Sequence, residues 1–511
     1  MGTEARAVLE SVDAELSLFP ADSFVSIENK GRDGYQRADQ TLLQEHADAQ
    51  YQLAVKLGSV MTATASRRTK LFGACATDTN TANDLDCVDA FISKRGSWFL
   101  RRPLTPDDVA FYRRALRGAS TVSPGAWADV VTLLFAAPEV FFVVEPMSAD
   151  AATAELPSYA LATRLSLQLL DEPADDALWQ AAGSGQLSTT AGYQQAVDRL
   201  LSDPRSNETM RTFFASWYQL QNLPNLADAL TQPKYQSVVG TQALPSGSEG
   251  MVEDLLGSVD NLLKRNGAPR ELLVDRAVYT RDSKTAALYG APPWDGVSTP
   301  QAPPSSKRAG LLTRVAMLTF GDPSTHPILR GVRIRTNLLC DRLQSPPDVA
   351  EAVAATPLTG KESERERTIA LTGQGGCAGC HSIAINPLGF AHEGFDPLGR
   401  ERTVENVFDA SGQLVAQHAI DTTVTPHVDF ADTRPVADAV EVTERIAASG
   451  KFESCLVSQY FRFAFSRTRD TPEDGCLLSR MENLARGGAS MKSLVREFVS
   501  SMEFKRRVVR N

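Results

Sequence analysis

Histidine, cysteine and long apolar runs are all scarce in this chain. Six histidines and seven cysteines are spread over 511 residues, so any site built from them must show itself through local spacing. No run of 18 or more apolar residues occurs, and no transmembrane segment is expected. The best candidate, 130–144, is broken by Pro138 and Glu139. Net positive charge is missing too. A formal charge of -10 and a pI of about 5.3 argue against nucleic acid and against an anionic membrane surface as partners. Lys505, Arg506, Arg507 and Arg510 form a basic cluster that reads as the last turn of a helix, where cations suit the dipole. Hydrolase signatures are absent: there is no G-x-S-x-G elbow, no H-E-x-x-H and no P-loop. Acidic pairs such as Asp175-Asp176 and Glu253-Asp254 are common in helix first turns, and nothing marks them as an acid/base couple. Asp409-Ala410-Ser411-Gly412 lacks the ligand series of a calcium loop and reads as a plain turn.

What is present is a long series of helical patterns. The length suggests roughly three or four domains. An N-terminal helical segment is expected over 1–60, interrupted by a polar stretch at 28–34. A helical domain with a local disulfide follows over 61–148. Thr105-Pro106-Asp107-Asp108 opens one of its helices, with threonine as N-cap, proline at the first position and acids in the first turn. A further helical domain spans 149–300, in which Phe213, Phe214, Trp217, Tyr218 and Leu220 form an aromatic stripe that reads as core. Residues 290–306 are rich in Pro, Ser and Gly and read as a long loop. A fourth domain is placed at 301–430, with a polar connector at 345–364 and strand-like stretches at 413–415 and 419–424. A helical C-terminal domain covers 431–511. The class is mainly α, a multi-domain helical protein with a minor β segment.

One short stretch carries chemistry: Cys377-Ala378-Gly379-Cys380-His381. C-x-x-C-H is the attachment sequence of c-type haem. The two thiols add across the vinyl groups as thioethers, and the adjacent histidine reaches the iron. Two intervening residues let both sulfurs face one porphyrin edge. A zinc site needs a second ligand pair at close spacing, whereas Cys340 and Cys455, the nearest other cysteines, are single and distant. A redox dithiol needs a strand before it and a helix after it, but Gly373-Gln374-Gly375-Gly376 leads in and Asn386-Pro387 follows. One covalent haem c is therefore expected, ahead of zinc or a structural disulfide, in a small cytochrome c-like domain within 301–430.

The other cysteines bear on the compartment. Cys75 and Cys87 flank a polar loop and are expected to pair. Cys455 and Cys476 flank a helix and a turn and are also expected to pair, leaving Cys340 as a buried free thiol. Disulfides and c-type haem both point to a periplasmic or extracellular, cell-surface setting. The first residues lack the apolar stretch of a secretion signal, so the numbering is expected to start downstream of one.

Four stretches carry a resemblance. Phe99-Leu100-Arg101-Arg102-Pro103-Leu104-Thr105 looks like an "RRPLT" helix start. Leu161-Ala162-Thr163-Arg164-Leu165-Ser166, with Pro173-Ala174-Asp175-Asp176 and Asp203-Pro204-Arg205, looks like an "ASRLS…PDD…DPR" segment. Arg308-Ala309-Gly310-Leu311-Leu312-Thr313, followed by Pro327-Ile328-Leu329-Arg330-Gly331, looks like "R-x-GLLT…SP-x-LRG". Residues 377–400 look like "CxxCH…PLGF…E-x-FD-x-x-GR". Together they resemble the multi-domain proteins of planctomycetes and myxobacteria that combine planctomycete-type cytochrome domains with domains of unknown function. The resemblance implies an exported protein with a c-type haem, and it implies no settled reaction; redox work coupled to polysaccharide breakdown is one idea for that family. The chain departs from the pattern in lacking an export signal and in carrying His326 where a small hydroxyl residue is expected.

The remaining expectations concern the haem surroundings. His381 is the expected proximal iron ligand, and the Asn386-Pro387 turn can present the carbonyl that fixes its tautomer. Pro387, Leu388, Phe390 and Phe395 can wall the porphyrin. Arg400 can pair a propionate or, equally, Asp396 or Glu393. No methionine lies between His381 and Met481, so the sixth ligand is open, with His326, His392 and His427 as candidates. Two strong axial ligands favour electron transfer with a redox partner protein. An open position permits peroxidase- or oxygenase-like chemistry on a small molecule or polysaccharide. A surface scaffold with structural haem is the third reading, so whether the chain is an enzyme stays undecided at this level.

Overall fold

The computed structural model describes residues 8, 10–20, 43–118, 121–143, 145, 153–240, 244–245, 247–343, 358–466 and 474–508. The polar stretch 28–34, most of the 345–364 connector and Arg510 lie outside them. Helix makes up 61% and strand 4%, so the protein is mainly α. No described helix is long and apolar enough to cross a membrane.

The described residues divide into two compact units: those up to 202 together with 502–508 form the first, and those within 203–501 the second. In the first, Gln44–Thr62 packs along Pro124–Phe135. The core there gathers Phe72, Val88, Phe91, Trp127, Val130 and Leu134, with the Phe72 ring 4.2 Å from Phe91 and 4.5 Å from Trp127. The Thr105 signal produces the helix Pro106–Arg113. The Thr105 hydroxyl accepts from the Asp108 amide, and the Asp108 carboxylate accepts from the Thr105 amide at 2.8 Å. Cys75 pairs with Cys87 as expected.

The basic C-terminal residues depart from expectation. The helix Met502–Lys505 ends at Lys505, and Arg506 and Arg507 enter a strand, Arg506–Val508, antiparallel to Thr153–Glu155. Pairing to that strand, and an ion pair from Arg506 to Glu155 at 3.2 Å, replace a further helical turn.

The second unit is built around the aromatic stripe. Phe213, Phe214 and Trp217 are fully buried on the helix Arg205–Trp217. Phe213 meets Tyr460 edge-on at 5.2 Å, and Trp217 stacks on Phe452 at 5.5 Å. The partners lie on Lys451–Ala464, a helix whose inward face also carries Cys455. Here a second expectation fails: Cys455 pairs with Cys340, and Cys476 is the free, exposed thiol. Cys455 is 1% exposed and points into the core, where its sulfur lies 3.2 Å from the Asn337 carbonyl, next to Cys340. Cys476 sits on the outer side of the first turn of Gly475–Arg486. Burial, not closeness in sequence, selects the partner.

The β segment also shifts. Its strands are Val404–Phe408 and Leu414–Ala419, a hairpin turned by Asp409–Gly412. The Asp409 carboxylate caps that turn, accepting from the Ser411 and Gln413 amides at 2.9 Å. The first strand lies upstream of the expected stretches because Val-Glu-Asn-Val-Phe carries a polar middle that hides its alternation.

Candidate haem-attachment site

The site begins with a well-capped helix. Ser363 and Glu366 form a capping box at the start of Glu364–Thr372. After a short break the chain runs through the helix Gly375–Cys380, a π-helical turn His381–Ile385, and the helix Asn386–Phe390. A π-turn inserts one residue and rotates everything after it. Cys377 and Cys380 before it are exposed, whereas Ala384 through Phe390 are all buried.

The buried part is locked to the helix Pro327–Arg333 by two glycines. A Cβ on Gly331 would lie 2.0 Å from the Ile385 carbonyl oxygen, and one on Gly389 would lie 1.9 Å from that of Pro327. No side chain fits at either place. Buried arginines complete the frame by donating to carbonyls. Arg330 reaches His392, Leu318 and Asp396 at 2.9–3.1 Å, and Arg308 reaches Thr313, Leu288 and Gly399. Arg335 joins Ala384 at 3.0 Å to His427 at 2.9 Å. The arginines and the glycine of the "R-x-GLLT…LRG" stretch therefore hold backbone, and the sequence reading had assigned them no role.

His381 is held by a directed chain. Its Nδ1 lies 3.2 Å from Asn386 Oδ1. Asn386 Nδ2 donates to Thr372 Oγ1 at 2.9 Å, and Thr372 Oγ1 donates to the Thr368 carbonyl at 2.7 Å. Because the amide nitrogen is committed to Thr372, Asn386 Oδ1 is the acceptor facing the ring. Nδ1 therefore carries the proton, and the lone pair is on Nε2. The carbonyl expected from the Asn386-Pro387 turn is supplied by the asparagine side chain. Around this segment, Ile369, Leu371, Ile383 and Phe430 expose apolar surface.

The other anticipated residues lie as follows. Pro387, Leu388 and Phe390 are buried under the site, and Arg365 covers the Phe390 ring at 4.9 Å. Phe395 clusters with Leu318 and Ala439 beneath Arg308. Arg400 is paired with Asp396 at 2.6 Å. His326 sits at the N-cap position of Pro327–Arg333 without a side-chain cap bond, its Nε2 instead on the Asp322 carboxylate. His392 is buried, with Nδ1 2.7 Å from the Leu388 carbonyl and Nε2 without a partner. Burial pushes its imidazole down to about 4. His427 has a left-handed backbone and a buried, unpartnered Nδ1. Among the described residues, no three His, Cys, Asp or Glu side chains converge to hold a metal ion.

Two family models match the chain. Residues 156–291 match PSD4, a protein of unknown function (DUF1592), and residues 308–405 match PSCyt3, a protein of unknown function (DUF1588). Both are domains associated with planctomycete cytochromes. No haem-domain model matches, and the Cys377–His381 motif falls inside the second. No curated protein and no solved structure matches the chain.

Proposed function

We propose that this is an extracytoplasmic c-type haem protein that passes single electrons to or from a redox partner. One observation carries the reading: two exposed, unpaired thiols are followed at once by a histidine whose Nδ1–H is tied to Asn386 and whose Nε2 is free. In this assignment Cys377 and Cys380 would carry the haem covalently, Nε2 of His381 would be its iron ligand, and the exposed Ile369, Leu371, Ile383 and Phe430 would offer it apolar surface. Haem c supplies an iron that changes oxidation state by one electron. The two disulfides, and the cytochrome-associated domains on either side of residue 300, support the compartment and the class.

A haem enzyme is the second reading. It is favoured by the state of two candidate sixth ligands: His326 is already bound by Asp322, and His392 is fixed inside the core. Visible absorption of the purified haem-loaded protein separates the two. A low-spin reduced spectrum unmoved by carbon monoxide or peroxide is the result expected for electron transfer. A high-spin ferric spectrum contradicts it and selects the enzyme.

A further inference from the structure

A second feature of the same unit lies at the other end of the helix Glu364–Thr372. The helix ends on Thr372, which supports Asn386 and His381, and it begins at a cavity of about 330 Å³. Nine residues at about 1.5 Å rise put the two ends about 12 Å apart. The volume is in the range of small-molecule sites.

The polar groups around this cavity divide into engaged and unengaged ones. Arg402 is held by Glu393 at 2.8 Å. Glu364 accepts from the Ser324 hydroxyl at 3.0 Å. Glu362 accepts from the Thr359 and Gly360 amides at 2.7 and 2.9 Å. Asn406 Oδ1 accepts from Gln417 at 2.8 Å. Three groups keep capacity. The Lys234 ammonium makes no ion pair or hydrogen bond among the described residues, and only its field reaches Asp322. Arg367 has Glu364 alone, at 3.7 Å. Glu405 accepts from the Glu364 amide through Oε1 at 2.9 Å, while its Oε2 is 3.9 Å from Arg402. Burial raises Glu405 to about 7, Arg402 opposes that shift, and the Glu393 and Glu364 carboxylates reinforce it. At neutral pH and below, Glu405 therefore offers an O–H.

All three groups with spare capacity can donate, and two are cationic. The rest of the lining includes Val238, Pro323, Leu358 and Phe408, apolar surface suited to a hydrocarbon tail. Glu362 and Glu364 beside them disfavour a multiply charged anion. We propose that this cavity binds a small organic carboxylate, its head on Lys234, Arg367 and the Glu405 carboxyl and its tail against Pro323, Leu358 and Phe408. The site stands apart from the haem reading and its test does not need that reading to hold.

The experiment is calorimetric titration of the full chain with benzoate and hexanoate, with benzamide as the neutral control, at pH 6 and pH 8. Carboxylate binding is expected to be about tenfold tighter at pH 6, following the protonated fraction of Glu405. Benzamide should bind at least about tenfold more weakly than benzoate at pH 6. Lys234→Met should weaken carboxylate binding about tenfold at both pH values, and Glu405→Gln, a neutral donor at either pH, should erase the pH difference. Lys234 is only half-buried, and circular dichroism confirms that each variant is folded. Absence of binding by both acids at pH 6, equal binding of benzoate and benzamide, or full affinity in Lys234→Met overturns the proposal.

Discussion

Residues 374–383 and 384–393 are consecutive, similar in length and opposite in character. In the first, Cys377, Gly379 and Cys380 are exposed, and Gly376 and Gly379 face open space. In the second, every residue is buried, and Gly389 is pressed against the carbonyl of Pro327. The π-turn at His381–Ile385 is the boundary. The difference separates two tasks. The second stretch is frame, held by arginine–carbonyl bonds and glycine contacts. In the first, the two thiols are unpaired and the apolar side chains around it are exposed, with Phe430 under Arg335 and Lys451. A surface organised on one side and bare on the other is what covalent attachment of a flat apolar group requires.

Substitutions can break this contrast, and the largest effect belongs to the frame. Cys455→Ala opens a crosslink spanning 115 residues and should cost about 2–5 kcal/mol in urea unfolding. Cys476→Ala, removing an exposed free thiol, should stay within about 0.5 kcal/mol. Equal effects would return the pairing to Cys455–Cys476. Next come the glycines. Gly389→Ala or Gly331→Ala forces a methyl into a backbone carbonyl and should cost about 1–3 kcal/mol or more. Gly376→Ala, with nothing within 4 Å, should be neutral or slightly stabilising because alanine favours helix. Comparable losses at Gly376 and Gly389 would remove the distinction between the two stretches.

The pH dependence sharpens the same point from the inside. His392 is held neutral in the core, with its folded value lowered to about 4 against an unfolded value near 6.5. The unfolded chain therefore binds the proton first, and stability falls as pH drops from about 6.5 towards 4. His392→Asn keeps a donor for the Leu388 carbonyl and should flatten that slope by up to about 3 kcal/mol. An unchanged slope would mean that the ring reaches solvent. A more modest loss is expected at the boundary. Asn386→Ala leaves His381 Nδ1 and Thr372 without their partner and should cost about 1 kcal/mol in stability, while shifting the absorption bands of the haem-loaded protein.

Much of this was legible in the sequence, for local reasons. Thr105-Pro106-Asp107-Asp108 contains its own helix start, and Cys75 and Cys87 are joined across a short loop. What failed depended on distance. The Cys340–Cys455 bond is set by which face of the helix Lys451–Ala464 turns inward, and the nearer Cys476 obscured it. The roles of Arg308, Arg330 and Arg335 were invisible because a buried arginine that holds carbonyls looks, in one dimension, like a surface cation. Glu405 lies on a strand with a polar middle and gains its character only when the fold buries it, with Glu393 and Glu364 reinforcing the shift and Arg402 opposing it.

The most direct measurement is the intact mass of the chain produced in an oxidising compartment with haem-attachment machinery, compared with the Cys377→Ala/Cys380→Ala variant. The account predicts a mass increase of one haem that survives denaturation and disappears in the variant while the fold is retained. A chain of unmodified mass, or one whose haem persists without the two cysteines, would contradict it.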